Sequence, residues 1–238
     1  EFNETPLVVN ARTGAGSRLP AGVKPLHYAI TNTPDPAQMR YEATVRIDIE
    51  TRERTDAITL NALDLTLMRA NIDGRHAEIL IDRESQTVTL QLLTSTRAGR
   101  HSITLEYSGI LDSNGSGFFA VDYGGQMPGR ALYTRFGATD ARRVIPSWDE
   151  PAFKSTFALE LIVRPEHGLA LSNMPITQRI EMADGRTRLR FATTPKMPIA
   201  QLFFALGDFE RLARPAAGTE LGVVTSRGAL SEAAYALK

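Results

Sequence analysis

The sequence predicts an all-β fold, an antiparallel sandwich or twisted open sheets, with the start of a helix at its C-terminal end. Three observations carry this expectation. Residues 40–50, RYEATVRIDIE, alternate apolar and polar side chains without a break, the period of a half-buried strand whose other face meets water. At least ten short runs of this kind follow one another, separated by turn residues. No helix of three turns interrupts them, and only residues 229–238, ALSEAAYALK, switch to helical spacing.

Taken in order, residues 3–22 are polar and contain Gly14, Gly16, Pro20 and Gly22, so residues 1–22 read as a loose leader. LHYAITNT at 26–33 ends at Pro34 and Pro36, an extended segment running into a turn. Beyond the strand at 40–50, Ile58 and Leu60, then Leu63, Leu65 and Leu67, mark two short strands. Asn71, Asp73 and Gly74 supply a turn. Alternation returns at Val88–Leu90–Leu92, Ile103–Leu105–Tyr107 and Phe157–Leu159–Leu161–Val163, and again at Leu189 and Phe191 after the ADG turn. Residues 110–130 are glycine-rich and irregular; they read as a surface hairpin loop or as a loop that reaches a ligand or partner. IAQLFFAL at 199–206 is apolar on both parities, as expected of a strand covered on both faces or of a short buried helix. These runs place one β domain over 23–227. In the last segment, 228–238, Leu230, Ala233, Ala234 and Leu237 share a helical face, and a helix this short is marginal alone. The expectation is a helix that continues into a further domain.

Composition narrows the function classes. Twenty-seven basic and 27 acidic residues give a formal net charge of +0, and no basic stripe stands out, which argues against nucleic acid as a partner. No run of eighteen apolar residues exists, so no transmembrane segment is expected. Cysteine is absent, which removes disulfides, thiolate catalysis and Cys-ligated metal. His27, His76, His101 and His167 are scattered, with no HExxH pair, so the residues themselves point to no metal site. Phosphate-cradling glycine loops and a GxSxG elbow are also missing. These features suit a soluble protein and leave the compartment open, cytoplasmic or periplasmic/secreted.

One stretch concentrates charge among large apolar side chains: YTRFGATDARRVIPSWDEPAFKSTF. Asp149 and Glu150 could suggest an acid/base pair, but adjacent residues on extended backbone point to opposite faces. The preferred reading is a brace, in which one carboxylate pairs with Arg142 or Arg143. Tyr133, Phe136, Trp148 and Phe153 are expected to fill the space around it.

The words TDARRVIPSWDEPAFKSTF and ALSNMP at 170–175, with VKPLHYAITNTPD, RYEATVRIDIE and ITLNALDL upstream, resemble the N-terminal domain of M1-family zinc aminopeptidases, in that family's order from residue 23. The resemblance implies a saddle-shaped, mostly antiparallel β domain ahead of a catalytic domain that binds zinc and a peptide with a free N-terminus. Zinc would there polarise the scissile carbonyl and activate water. It further implies that these residues are noncatalytic support: Asp140, Arg142, Arg143, Asp149, Glu150, Pro151 and Asn173 as structural brace, and no metal ligand among them. The family sets a Gln or Glu before F-x-x-x-D-A-R-R at the edge of the substrate pocket; Arg135 stands there in this sequence. Three consequences stay open: the guanidinium swings away to a carboxylate of the catalytic domain, the pocket favours an acidic or polar first residue, or peptidase activity is weakened. Two rival readings also stand, a self-contained β-sandwich that binds proteins and a non-peptidase relative.

Overall fold

The computed structural model describes residues 18–124 and 129–237. Of the expected leader, residues 1–17 lie outside this range. Leu19 is buried against the core, and its backbone N–H donates to Glu150 Oε1 at 2.7 Å.

Strands β1 (Val23–Asp35) and β2 (Arg40–Thr51) form a long hairpin, followed by β3 (Thr55–Asn61), β4 (Thr66–Ile72), β5 (Arg75–His76) and β6 (Glu78–Asp82). Next come β7 (Thr87–Thr96), β8 (Gly99–Ile110), β9 (Gly117–Tyr123) and β10 (Gly129–Arg135). A 3-10 turn, Ala141–Arg143, precedes β11 (Lys154–Val163), and another, Pro165–His167, leads into β12 (Leu169–Ser172), β13 (Ile176–Glu181), β14 (Thr187–Phe191) and β15 (Met197–Pro198). The described chain ends with β16 (Phe204–Gly207), β17 (Phe209–Ala216), β18 (Thr219–Ser226) and α1 (Leu230–Ala236).

Among the described residues the largest sheet runs β13-β14-β11-β1-β2-β8-β4-β5, with β15 paired to β11; smaller sheets are β12-β16-β10-β9, β3-β7-β6 and β17-β18. Every pairing is antiparallel except β1 with β11. The expected class holds: the protein is all-β, built of mostly antiparallel open sheets with one short helix, and no sheet closes into a barrel.

Strict alternation explains the core. In β2 the odd-numbered Tyr41, Val45, Ile47 and Ile49 are fully buried, and β8 answers with Ile103, Leu105 and Tyr107. Ile58, Leu60, Val88 and Leu90 of the three-stranded sheet join the same apolar cluster. A bulge between Pro25 and His27 shifts the phase of β1, so that Tyr28 and Ile30 face the core after Val23 and Pro25 have done so. β1 pairs with β11 only from His27 to Asn32, which keeps Pro25 and Pro34 outside that ladder and accommodates two prolines in a strand flanked on both sides.

Three local expectations change. The glycine-rich stretch is not one loop: β9 and β10 take 117–123 and 129–135, because Phe118 and Leu132 are drawn into the core, while 125–128 lie outside the described residues. IAQLFFAL splits into a 3-10 turn, Ile199–Gln201, and β16, the turn leaving Gln201 exposed. Ala233 of α1 and Leu237 just after it are buried but Ala234 is exposed, since the helix leans on the β17–β18 hairpin along a narrow stripe. No described helix is long and apolar enough to cross a membrane.

Candidate functional site

β10 delivers Arg135 at its last position, opposite Gly117 of β9. Alternation along the strand separates it from its neighbours: Thr134 and Phe136 are buried and Arg135 is exposed. The Thr134 hydroxyl donates to Phe204 O at 3.1 Å and accepts from Phe204 N at 2.9 Å, which ties β10 to β16. The chain then turns through Gly137, at φ 50°, and closes with Asp140 N–H donating to Phe136 O at 2.7 Å.

The 3-10 turn that follows hangs on two tyrosines of the large sheet. Tyr41 Oη donates to the carbonyls of Arg143 and Val144 at 3.1 and 3.3 Å, and Tyr28 Oη accepts from Trp148 N–H at 3.2 Å. Burial pushes both phenols above their ordinary value, so both stay neutral. Trp148 is itself buried beside Phe153.

Arg142 and Asp149 form the buried ion pair. Asp149 Oδ2 accepts from Arg142 Nε at 2.9 Å and from Arg142 N–H at 3.2 Å, and its side chain is only 2% exposed. Arg142 Nη1 also donates to Gln86 Oε1 at 3.1 Å. Burial pushes the Asp149 carboxyl above the usual carboxylate range, against the pull of Arg142. The same segment docks on Asn61: the backbones of Asn61 and Ser147 exchange hydrogen bonds at 2.8 and 3.0 Å, and Asn61 Oδ1 accepts from Asp149 N–H at 3.1 Å. Leu63 N–H donates to Arg142 O at 3.0 Å.

Arg143 points outward, where Asp140 takes its Nε at 3.1 Å and Asp64 takes its Nη1. Glu150 Oε1 accepts from Leu19 N–H while Asp149 Oδ2 accepts from Arg142, so the two adjacent carboxylates have different partners. Pro151 sits exposed in the turn before β11. Asn173 lies elsewhere: its amide donates to Gln201 O at 3.0 Å and accepts from Phe203 N–H at 2.7 Å, so it orders the approach to β16 and reaches β10 only through Phe204. Nothing in the charge pattern of the sequence singles out Asn61, Gln86 or the two tyrosines as site residues. Asn61 stands in the quoted word ITLNALDL, a signal that could have found it; Gln86 offers none.

Arg135 makes no hydrogen bond or ion pair among the described residues. Its Nη2 lies 3.8 Å from the point that a Cβ on Gly115 would occupy. The loop carrying Gly115 also walls a cavity of about 430 Å³ whose other sides include Asp64, Asp140 and Arg143. Burial alone would raise the Asp112 carboxyl in this wall, but N–H donors from Asn114, Ser113 and Ser116, with Arg143 nearby, hold it below the usual range. A second cavity of about 680 Å³ opens beside the β1–β2 hairpin at the far end of β10, where Arg130 lies. Three of its four guanidiniums are already paired: Arg40 with Glu42, Arg130 with Asp122 and Arg186 with Asp184.

The residues present do not fit a zinc centre. Among the described residues no three His, Asp or Glu side chains converge where they could hold a metal ion. His27 Nδ1 is engaged by Thr156 and His101 Nδ1 by Asp73.

The mostly antiparallel, open-sheet β architecture is the one the resemblance implies. Residues 24–199 match the Peptidase M1 N-terminal domain, and the chain belongs to that family. It is 35% identical over 227 residues to Aminopeptidase N of Acetobacter pasteurianus, covering 94% of this chain and 63% of that protein. It is 34% identical over 195 residues to Aminopeptidase 2 of Candida albicans, covering 80% and 21%, and 28% identical over 233 residues to Endoplasmic reticulum aminopeptidase 1 of Homo sapiens, covering 92% and 24%. The chain thus spans less than two thirds of the length of each of these relatives.

Proposed function

We propose that this chain is the noncatalytic β unit of a zinc-dependent aminopeptidase that removes N-terminal residues from peptides, and that it supports and borders the substrate pocket. The observation that carries this reading is the contrast within one segment. Arg142 and Asp149 are spent on internal contacts, while Arg135, held between two buried neighbours, is left exposed and unpaired. A braced strand end of this kind positions a side chain for something outside the unit.

Zinc would be held by the unit's partner, its own C-terminal catalytic domain, and would there supply Lewis-acid activation of carbonyl and water. The contribution of the residues described here is mechanical and electrostatic. The Arg142–Asp149 pair fixes the 140–149 segment, Thr134 fixes β10, and Arg135 places positive charge at the pocket edge. The polypeptide encoded by the whole gene should bind zinc and cleave aminoacyl amides, whereas residues 1–238 alone should show no turnover. Turnover by the isolated chain with stoichiometric zinc would refute the noncatalytic assignment. A whole-gene product that binds no zinc and cleaves no aminoacyl bond would favour a binding platform instead.

A further inference from the structure

We infer that Arg135 selects peptides whose first residue is Asp or Glu, by pairing its guanidinium with that side-chain carboxylate. This rests on the reading above that the end of β10 borders the substrate pocket.

The charge balance of the segment points to an anionic ligand. Arg142 is satisfied by Asp149, and Arg143 by Asp140 and Asp64. Arg135 is the arginine of this stretch with no acceptor among the described residues. It cannot retreat with its strand, because Thr134 is locked to Phe204 and Phe136 is buried. Gly115 beside it brings no side-chain acceptor and leaves the guanidinium open.

A guanidinium offers five N–H donors and no acceptor, so a peptide ammonium gains nothing from it and is repelled. A carboxylate, by contrast, can take two of those donors in parallel, in a charge-assisted pair about twice as strong as a neutral hydrogen bond. A neutral amide of the same shape has a single acceptor oxygen and no charge, so it cannot form the parallel two-oxygen pair. Discrimination should therefore fall between Glu and Gln, which differ in charge and hardly in size.

The test compares kcat/KM for α-glutamyl, glutaminyl and leucyl anilides, using the whole-gene product and its Arg135→Gln and Arg135→Lys variants. The wild type should prefer glutamyl over glutaminyl by about tenfold or more, the effect of roughly one charged pair. That ratio should fall towards unity in Arg135→Gln, survive in part in Arg135→Lys, and shrink as salt rises. Leucyl cleavage with a glutamyl-to-glutaminyl ratio near one, or a ratio unmoved by Arg135→Gln, overturns the inference and assigns the guanidinium to a carboxylate of the catalytic domain. Loss of all aminoacyl hydrolysis from the zinc-loaded wild type overturns the proposed function, and this inference with it.

Discussion

Asp149 accepts two hydrogen bonds from Arg142 at a site where water hardly reaches, so removing either partner strands a charge in the core. Asp149→Ala should cost about 3–5 kcal/mol in urea-unfolding stability. Replacing both partners, as Arg142→Met with Asp149→Leu, should cost less than the single change, because no unpaired charge is then left buried. A single variant no less stable than wild type would remove the brace from the account of this segment. The charged residues of the pair were visible in the sequence, since acids and bases embedded among Trp148, Phe153 and Phe136 must find partners. Which partner each would take was not visible. Arg142 turns inward to Asp149 and Gln86 while Arg143 turns outward to Asp140 and Asp64, a choice made by the 3-10 turn and by Asn61, both supplied by the fold around them.

Strand elements were legible wherever one face meets water, because burial then imposes period two on the residues themselves, as in β2 and β8. Where that asymmetry fails, legibility fails with it. β9 is short and begins at Gly117, where φ is +63° and a Cβ would lie a tight 3.2 Å from Val144, so glycine is favoured by the left-handed backbone and mimics a loop signal. Sheet order was hidden for a different reason: alternation says which face is buried and nothing about which strand lies alongside, so the parallel β1–β11 pair had no local trace. The β2–β8 pairing contains one position the sequence could not explain. Gly109 lies opposite Tyr41, whose ring covers the site a Cβ would need. Gly109→Ala should lower stability by about 1–3 kcal/mol through overpacking. Gly22→Ala, where nothing lies within 4 Å, should stay within about 0.5 kcal/mol. Thermal unfolding of the two variants side by side checks this, and equal midpoints would show that Tyr41 has room to move.

Across the whole molecule, acid should unfold this domain through a few carboxylates that bind loops together. In Asp73, burial alone would raise the carboxyl, but the contact with His101 at 2.6 Å and the N–H of Ser102 at 2.9 Å hold it below its ordinary 3.8, and this joins the β4–β5 turn to β8. Asp112 is held low in the same sense by its three backbone donors. For such groups the folded value lies beneath the unfolded one. Their stabilisation is therefore complete above the unfolded value near 3.8 and is lost as pH falls through the lower folded value. Asp149 works with the opposite sign: burial lifts its folded value, so its ionisation costs stability above that value and the cost disappears as pH falls. Glu50, Asp82, Asp122, Asp184 and Asp208 are held low in the same direction by their own hydrogen-bond partners, so among the described residues Asp149 alone opposes a net loss on acidification. The urea midpoint should accordingly drop between pH 5 and pH 3. Asp112→Asn should be less stable than wild type at neutral pH yet lose less between those two values, because the amide keeps the shape of the loop acceptor and no longer titrates. A wild-type midpoint that rises on acidification would mean that the buried Asp149, and not the loop carboxylates, governs the acid response.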